Sequence, residues 1–216
     1  MTRIQSYRLV LPPPWVRVPL GAGAAERVHE IVEQAATQAP KEMSPDQLGP
    51  LKRELERRML AQLTAAADKG GLDHYFPLGP VHGIHLGASF FVASVVPPGG
   101  TAEVTPDALA GGVLAEVVAT TPGARAVEIA GTVWVRTEGV VAPDQERAED
   151  VDVPTRRVTY LTAVPDDPQQ WVLVSFSTIG DGEPDSEHTL LTVELFDAIM
   201  GTWRWATGSD GWDAGA

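Results

Sequence analysis

The stretch "IHLGASFFVASVV", residues 84–96, constrains this fold more than any other. Read as an extended strand, it places Ile84, Leu86, Ala88, Phe90 and Val92 on one side and His85, Gly87, Ser89, Phe91 and Ala93 on the other. Both sides carry apolar residues. A strand of that kind belongs in the middle of a sheet and needs cover on both faces.

The rest of the chain supplies partners and cover. "SYRLVL" (residues 6–11) is a first short strand, stopped by Pro12, Pro13 and Pro14. Residues 21–39 predict a helix, with Val28, Ile31, Val32 and Ala35 on one stripe and Glu26, Arg27, Glu30 and Glu33 largely off it. Ser44 as N-cap, Pro45 at the first helical position and Gln47 at the third open a longer helix that runs to Asp68. Along it Leu48, Leu51, Leu55, Met59 and Leu63 recur, and Lys52–Glu56 and Glu54–Arg58 are spaced to pair across a turn. "LDHYFPL" (72–78) is a short strand ahead of the long one. Residues 105–119 predict a third helix, whose Gly111 and Gly112 imply close packing on the sheet at some cost in helix propensity. "AVEIAGTVWVRTEGVV", "RRVTYLTAV" and "WVLVSFSTI" then predict three strands. Their links, "APDQERAEDVDVP" and "PDDPQQ", are too short for the helical crossover of a parallel connection, so the strands are antiparallel. A last helix runs from Asp185 or Ser186 to Trp205. The expectation is an α+β fold, a mainly antiparallel sheet with helices packed on its faces as an α/β/α sandwich. It occupies a single domain, 1–205, followed by a flexible tail, 206–216.

Composition narrows the function. The net charge is −13, and such a surface repels phosphate backbones and anionic lipid, so neither nucleic acid nor membrane is expected as a partner. The absence of cysteine removes disulfides, thiolate metal ligands, iron–sulfur clusters and cysteine nucleophiles. No stretch approaches the ~20 apolar residues of a membrane span, and the run Leu9–Leu11 is far shorter than a signal-peptide core. The expected location is the cytoplasm, and no motif calls for a cofactor.

"HYFPLGPVHGIH" (74–85) holds three of the five histidines. If two strands form a hairpin there, His74, His82 and His85 with Asp73 become candidate metal ligands or catalytic groups. Pro77, Gly79, Pro80 and Gly83 exclude a helix, however, and the spacing matches no metal motif. "GDGEPDSE" sets Asp181, Glu183, Asp185 and Glu187 at alternate positions, like the start of a calcium loop. It has Ser186 where the glycine belongs and Thr192 where the glutamate belongs, so the acids suit a helix N-terminus better. Ser89 in "GASFF" lacks the second glycine of a nucleophile elbow. The ridge "KRELERR", with Arg53 and Arg57, and Trp15 beside three prolines are candidate protein-binding features.

Several longer stretches carry a resemblance. "LVLPPPWVRVPL", "LKRELERRML", "GGLDHYFPL", "ASFFVASVV" and "WVLVSFSTIGDGEPD…ELFDAIMGTWRW" resemble a group of actinobacterial proteins without an assigned activity, across most of residues 6–205. That resemblance implies a neighbourhood of type VII secretion genes. The opening strand with its Trp and the closing segment are also similar to the Mog1/PsbP-like α/β/α sandwich, whose members are generally non-enzymatic binding or assembly factors. The chain does not itself resemble a type VII substrate. No Trp begins a Trp-x-Gly turn, and Tyr7, Tyr75 and Tyr160 lead, four residues on, to Leu11, Gly79 and Val164 rather than to an acid. The expectation is a non-enzymatic, chaperone-like accessory factor that binds a protein partner in a secretion or cell-envelope pathway. The alternatives are a metal-assisted enzyme built on His74–His85 and a small-ligand carrier with a pocket near Phe90, Phe91 and Trp134.

Overall fold

The computed structural model describes residues 6–37, 45–96, 106–143, 153–165 and 167–206. In chain order the elements are β1 (Ser6–Arg8), β2 (Trp15–Pro19), α1 (Ala24–Ala36), α2 (Pro45–Ala67), β3 (Gly71–Pro77), β4 (Ala88–Val95) and α3 (Pro106–Thr120). There follow β5 (Arg125–Ile129), β6 (Thr132–Val141), β7 (Thr155–Val164), β8 (Asp167–Thr178), α4 (Glu187–Gly201) and β9 (Arg204–Ala206). Seven strands form one sheet in the order β2-β3-β4-β8-β7-β6-β5, and every neighbouring pair is antiparallel. β1 and β9 make a separate antiparallel ribbon. This is the α+β architecture expected, with β4 inside the sheet between β3 and β8.

Strand alternation sorts the side chains onto two faces. On the first, Phe90, Val92, Trp134, Val158, Val174 and Phe176 pack against Val193, Phe196, Ile199, Met200 and Trp203 of the α4 segment. Phe176 stacks on Phe196 with ring centroids 4.4 Å apart, and the β1–β9 ribbon lays Tyr7 flat on Trp203 at 4.2 Å. Charged groups on this face are tied down, whereas the indole nitrogens of Trp15, Trp134 and Trp203 are buried without a partner among the described residues. Arg136, 4% exposed, donates to both oxygens of Asp197 on α4 at 3.0 and 2.8 Å, and it pairs with Glu138 at 2.8 Å. The Tyr160 hydroxyl donates to Asp197 at 2.7 Å, and Arg156 bridges Glu138 and Asp185. Burial works against the charge on Glu138, but the hydrogen bonds from Arg136 and Arg156 outweigh it and hold its carboxyl below the usual value.

The second face is shared. Val28, Ile31 and Val32 of α1 and Leu63 of α2 cover Val16 and Val18 of β2, with Phe76 and Phe91 beside them. Ala110, Val113 and Leu114 of α3 cover Val135 and Trp171 at the opposite corner. α1 and α2 are joined by an ion pair, Lys52–Glu33, and by a 2.8 Å hydrogen bond between His29 Nδ1 and Glu56. Lys52 and Glu56 therefore reach across to α1 rather than to each other, whereas Glu54 does pair with Arg58, at 2.7 Å, and with Arg57 as well.

The structure departs from the sequence pattern in several places. Residues 126–141, read as one strand, are β5 and β6 joined by a tight turn at Ala130-Gly131, with φ +53° and +74°. Positive φ at both central residues is the hairpin turn that matches strand twist, and Gly131 supplies half of it. Trp15–Pro19 is an additional strand at the sheet edge, and the last helix stops at Gly201 so that β9 can pair with β1. Residues 84–87 precede β4 rather than belong to it; Gly87 has φ +53°, and a Cβ there would meet Ile179 at 2.7 Å. Gly111 and Gly112 meet nothing within 4 Å, so they do not serve close packing. Ser44 and the tail 207–216 lie outside the described residues.

Candidate functional site

β3 carries Asp73 and His74 side by side, and alternation sends them to opposite faces. Asp73, 1% exposed, accepts from Tyr7 Oη at 2.5 Å and from Arg17 Nε at 2.6 Å. Tyr7 Oη also lies 3.1 Å from Tyr75 Oη. Burial first, then Tyr75 and Asp73, raise the Tyr7 pKa well above its ordinary value. This is a latch holding β1 on the sheet, since each member is committed to another.

His74 lies on the second face, with its ring parallel to Phe91 and the centroids 3.8 Å apart. Its Nε2 is buried and has no hydrogen-bond partner. Burial pushes its pKa down to about 4, so the ring is neutral near pH 7. His82 occupies the tight turn between Val81 and Ile84 with φ +49°, and it is exposed. His85 is exposed a few residues later. The histidine-rich stretch therefore spreads its side chains over three settings, and Asp73 is across the sheet from His74. Among the described residues, the group of three metal-ligating side chains whose donor atoms fall within 4.8 Å of one another is a different one, His29, Glu33 and Glu56. Those groups already pair across α1 and α2 through Lys52 and the 2.8 Å His29–Glu56 contact.

The other candidates sort as clearly. Trp15 is not a surface anchor: it is 7% exposed and packs on Phe90 at 5.6 Å. Arg53 and Arg57 are exposed on α2, and Arg57 donates twice to Glu54, at 2.9 and 2.8 Å. Leu51 and Leu55, 52% and 41% exposed, lie on a different side of that helix from Arg53 and Arg57, because a helix turns ~100° per residue. The acidic run 181–187 opens α4: Ser186 is the N-cap, its Oγ accepting from Thr189 N at 3.1 Å and donating to Asp181 at 2.7 Å. Phe90 and Trp134 are both fully buried in the first-face core, whereas Phe91 lies on the second face.

A cleft does open, on the second face. It has a volume of about 550 Å³ and is lined by Phe76, His85, Ser89, Thr155, Ser177 and Ile179 among others. Among the described residues, the lining includes no Asp or Glu. Register explains its floor. Ser89 on β4 sits opposite Ser177 on β8, and Ser177 sits opposite Arg157 on β7. Helices cover the rest of this face through apolar side chains. A row of hydroxyls offers them nothing to bury except groups that would lose water without gaining a partner. Thr178 also lines the cleft but is committed: its Oγ1 donates to Leu86 O at 3.1 Å and accepts from Gly180 N at 3.0 Å. Ser89, Thr155, Ser177, His85 and Arg157 make no side-chain hydrogen bond or ion pair among the described residues. The cleft thus gathers uncommitted donors. Two weak sequence hints, Ser89 and His85, both line it, but they make no hydrogen bond to each other, and among the described lining residues no carboxylate joins them as the third member of a triad. Ser177, Thr155 and Arg157 carry no local motif. Their one sequence signal is the alternation in "VSFST", hydroxyl against Phe and Val, which marks a polar side of β8.

Neither a family model nor a curated protein matches this chain. A crystal structure from Bacteroides thetaiotaomicron VPI-5482 has a TM-score of 0.33 and 11% sequence identity; the likeness covers 56% of this chain and 35% of that one. At that level it carries no argument about fold or role. Among the described residues, no helix is long and apolar enough to cross a membrane.

Proposed function

We propose that this chain is a non-enzymatic binding protein that engages a protein partner through the helix-free end of its sheet, as a chaperone-like accessory factor in the cytoplasm. The observation that carries this is the cleft: it collects hydroxyl and imidazole donors with no internal partner, and among its described lining residues no acid orients His85 toward Ser89. The charged groups of the interior support the same role from the other side. Asp73, Arg136 and Asp197 are committed to holding elements together. The resemblance of most of residues 6–205 to actinobacterial proteins favours a place in a secretion or cell-envelope pathway, and that of the opening strand and closing segment to the Mog1/PsbP-like sandwich favours binding over catalysis. Affinity capture with the full chain tests it. A partner is expected with the unaltered chain and not with Ser177→Trp, which fills the cleft, provided both unfold at the same temperature. No reproducible partner at any of several salt concentrations would remove this role.

A small-ligand carrier is a second reading, favoured by the cleft volume of about 550 Å³, within the ~300–1,000 Å³ usual for such sites. A bare mass in native mass spectrometry of freshly isolated protein counts against it.

A further inference from the structure

We infer that the cleft is an oxyanion site: it takes a carboxylate or phosphate group, seated on the Ser89–Ser177 floor and paired with Arg157. This rests on the cleft being the binding surface, and adds the chemistry of what binds there.

The donors come first. Ser89 and Ser177 are directly opposed across the β4–β8 ladder, so their side chains rise from the same patch of floor. Arg157 does not line the cleft itself; it is exposed beside it, opposite Ser177 on the next strand and on the same face. Thr155 lies two residues earlier on that strand, and His85 lines the cleft beside Ser89. Each can donate, and none is committed within the described structure. Hydroxyl and imidazole donors lining a concavity, with a guanidinium at the next register position, match an acceptor-rich, negatively charged group, and charge-assisted bonds to such a group are the strong ones.

The neighbouring arginine sharpens the point. Arg156 and Arg157 are consecutive, yet Arg156 faces the other side, where Glu138, Asp185 and the Pro184 carbonyl occupy its guanidinium. Arg157 has no counterpart to these among the described residues, although acids outnumber bases 29 to 16 in the chain. The cleft lining contains no acid either. A cation spared a partner in so acidic a molecule is placed to receive one from outside. Phe76 and Ile179 give the cleft an apolar wall, which suits a ligand whose charged group is borne on a carbon frame.

Two probes test this on the full chain by following backbone amide resonances in solution: inorganic phosphate, and a short blocked peptide ending in two free glutamates, with its amide analogue as the control. Phosphate or the acidic peptide is expected to shift the amides of Ser89, Ser177 and Arg157, and the amide analogue is not. Which anion shifts them identifies the source. Arg157→Gln is expected to weaken the response at least about tenfold, and Ser89→Ala with Ser177→Ala to weaken it further, with the fold unchanged in both. No shift of those amides at millimolar probe, or an undiminished response in Arg157→Gln, overturns the oxyanion assignment. The broader binding role fails separately. A captured partner that is insensitive to Arg157→Gln and to competing phosphate would leave that role standing and this inference fallen. Probe binding with no captured partner would do the reverse.

Discussion

The two faces of one sheet are built from the same strands and solve different problems. On the α4 face, aromatic rings stack from the ribbon to the middle strands, and the ionic groups Arg136, Glu138, Arg156 and Asp197 close on one another. On the other face, α1, α2 and α3 cover two apolar areas and leave Ser89, Ser177 and Thr155 in an open cleft, with Arg157 exposed beside it. Adjacent residues therefore live in opposite settings: Phe90 and Phe91, Asp73 and His74, Arg156 and Arg157. Stability and availability are assigned to different sides of a shared backbone. One side pairs its charged groups internally, although the indole N–H groups of Trp15, Trp134 and Trp203 are buried there without a partner among the described residues, and the other leaves hydroxyls and Arg157 free.

Neighbouring substitutions can break that contrast. Phe90→Ala empties a fully buried ring position and is expected to cost about 4 kcal/mol, while Phe91→Ala, at a half-buried site, costs roughly half as much. Urea unfolding of the two variants compares them directly, and equal losses would mean that the second face is as tightly packed as the first.

His74 gives the next largest effect, and a pH signature. Burial holds its folded pKa at about 4, below the ordinary 6.5. Between those values the unfolded chain binds the extra proton, so this contribution is complete above the upper value and is lost as pH falls through the window. The loss between about pH 7 and about pH 5 is on the order of 2 kcal/mol. It is read as a shift in the urea midpoint. His74→Phe, which keeps a ring against Phe91, is expected to flatten that slope; an unchanged slope would show that His74 is not its source.

The paired arginines come third. Arg156→Ala leaves Glu138 and Asp185 short of a partner and is expected to cost about 1–2 kcal/mol, whereas Arg157→Ala stays within about 0.5 kcal/mol of the unaltered chain. Thermal unfolding at matched salt distinguishes them. The smallest effect belongs to the floor: Ser89→Ala and Ser177→Ala each remove a hydroxyl with no internal partner, so the melting temperature should stay within about 2 °C. A marked drop would mean that these hydroxyls have a structural task after all.

Much of this architecture is legible in the order of residues. The alternation of Leu86, Ala88, Phe90 and Val92 against Ser89, Phe91 and Ala93 marks β4 as an inner strand, and short links mark β6, β7 and β8 as antiparallel. The departures have local causes. Ala130-Gly131 does not advertise a turn, because Ala rarely takes positive φ, and so β5 and β6 read as one strand. β2 and β9 are short, and they become strands through their partners, β3 and β1. The leucine repeat of α2 suggests a continuous contact, but it runs from buried Leu63 outward to exposed Leu55 and Leu51. At the site, Ser89 and His85 stand out for motifs they only partly match, and Trp15 for a surface it does not occupy.

Periodicity is a property of consecutive residues. It is enough to say which side chains share a strand face, that the middle strand needs cover, and that the helices are there to give it. Proximity between residues far apart along the chain is a matter of register, and register is settled only when whole strands pair. That pairing sets Ser89 opposite Ser177 and Ser177 opposite Arg157. Alternation within β3 likewise parts Asp73 from His74 by the thickness of the sheet. The dense run of histidines is chemically less informative than three scattered donors that no local pattern connects, because a cleft is formed by the places helices do not reach.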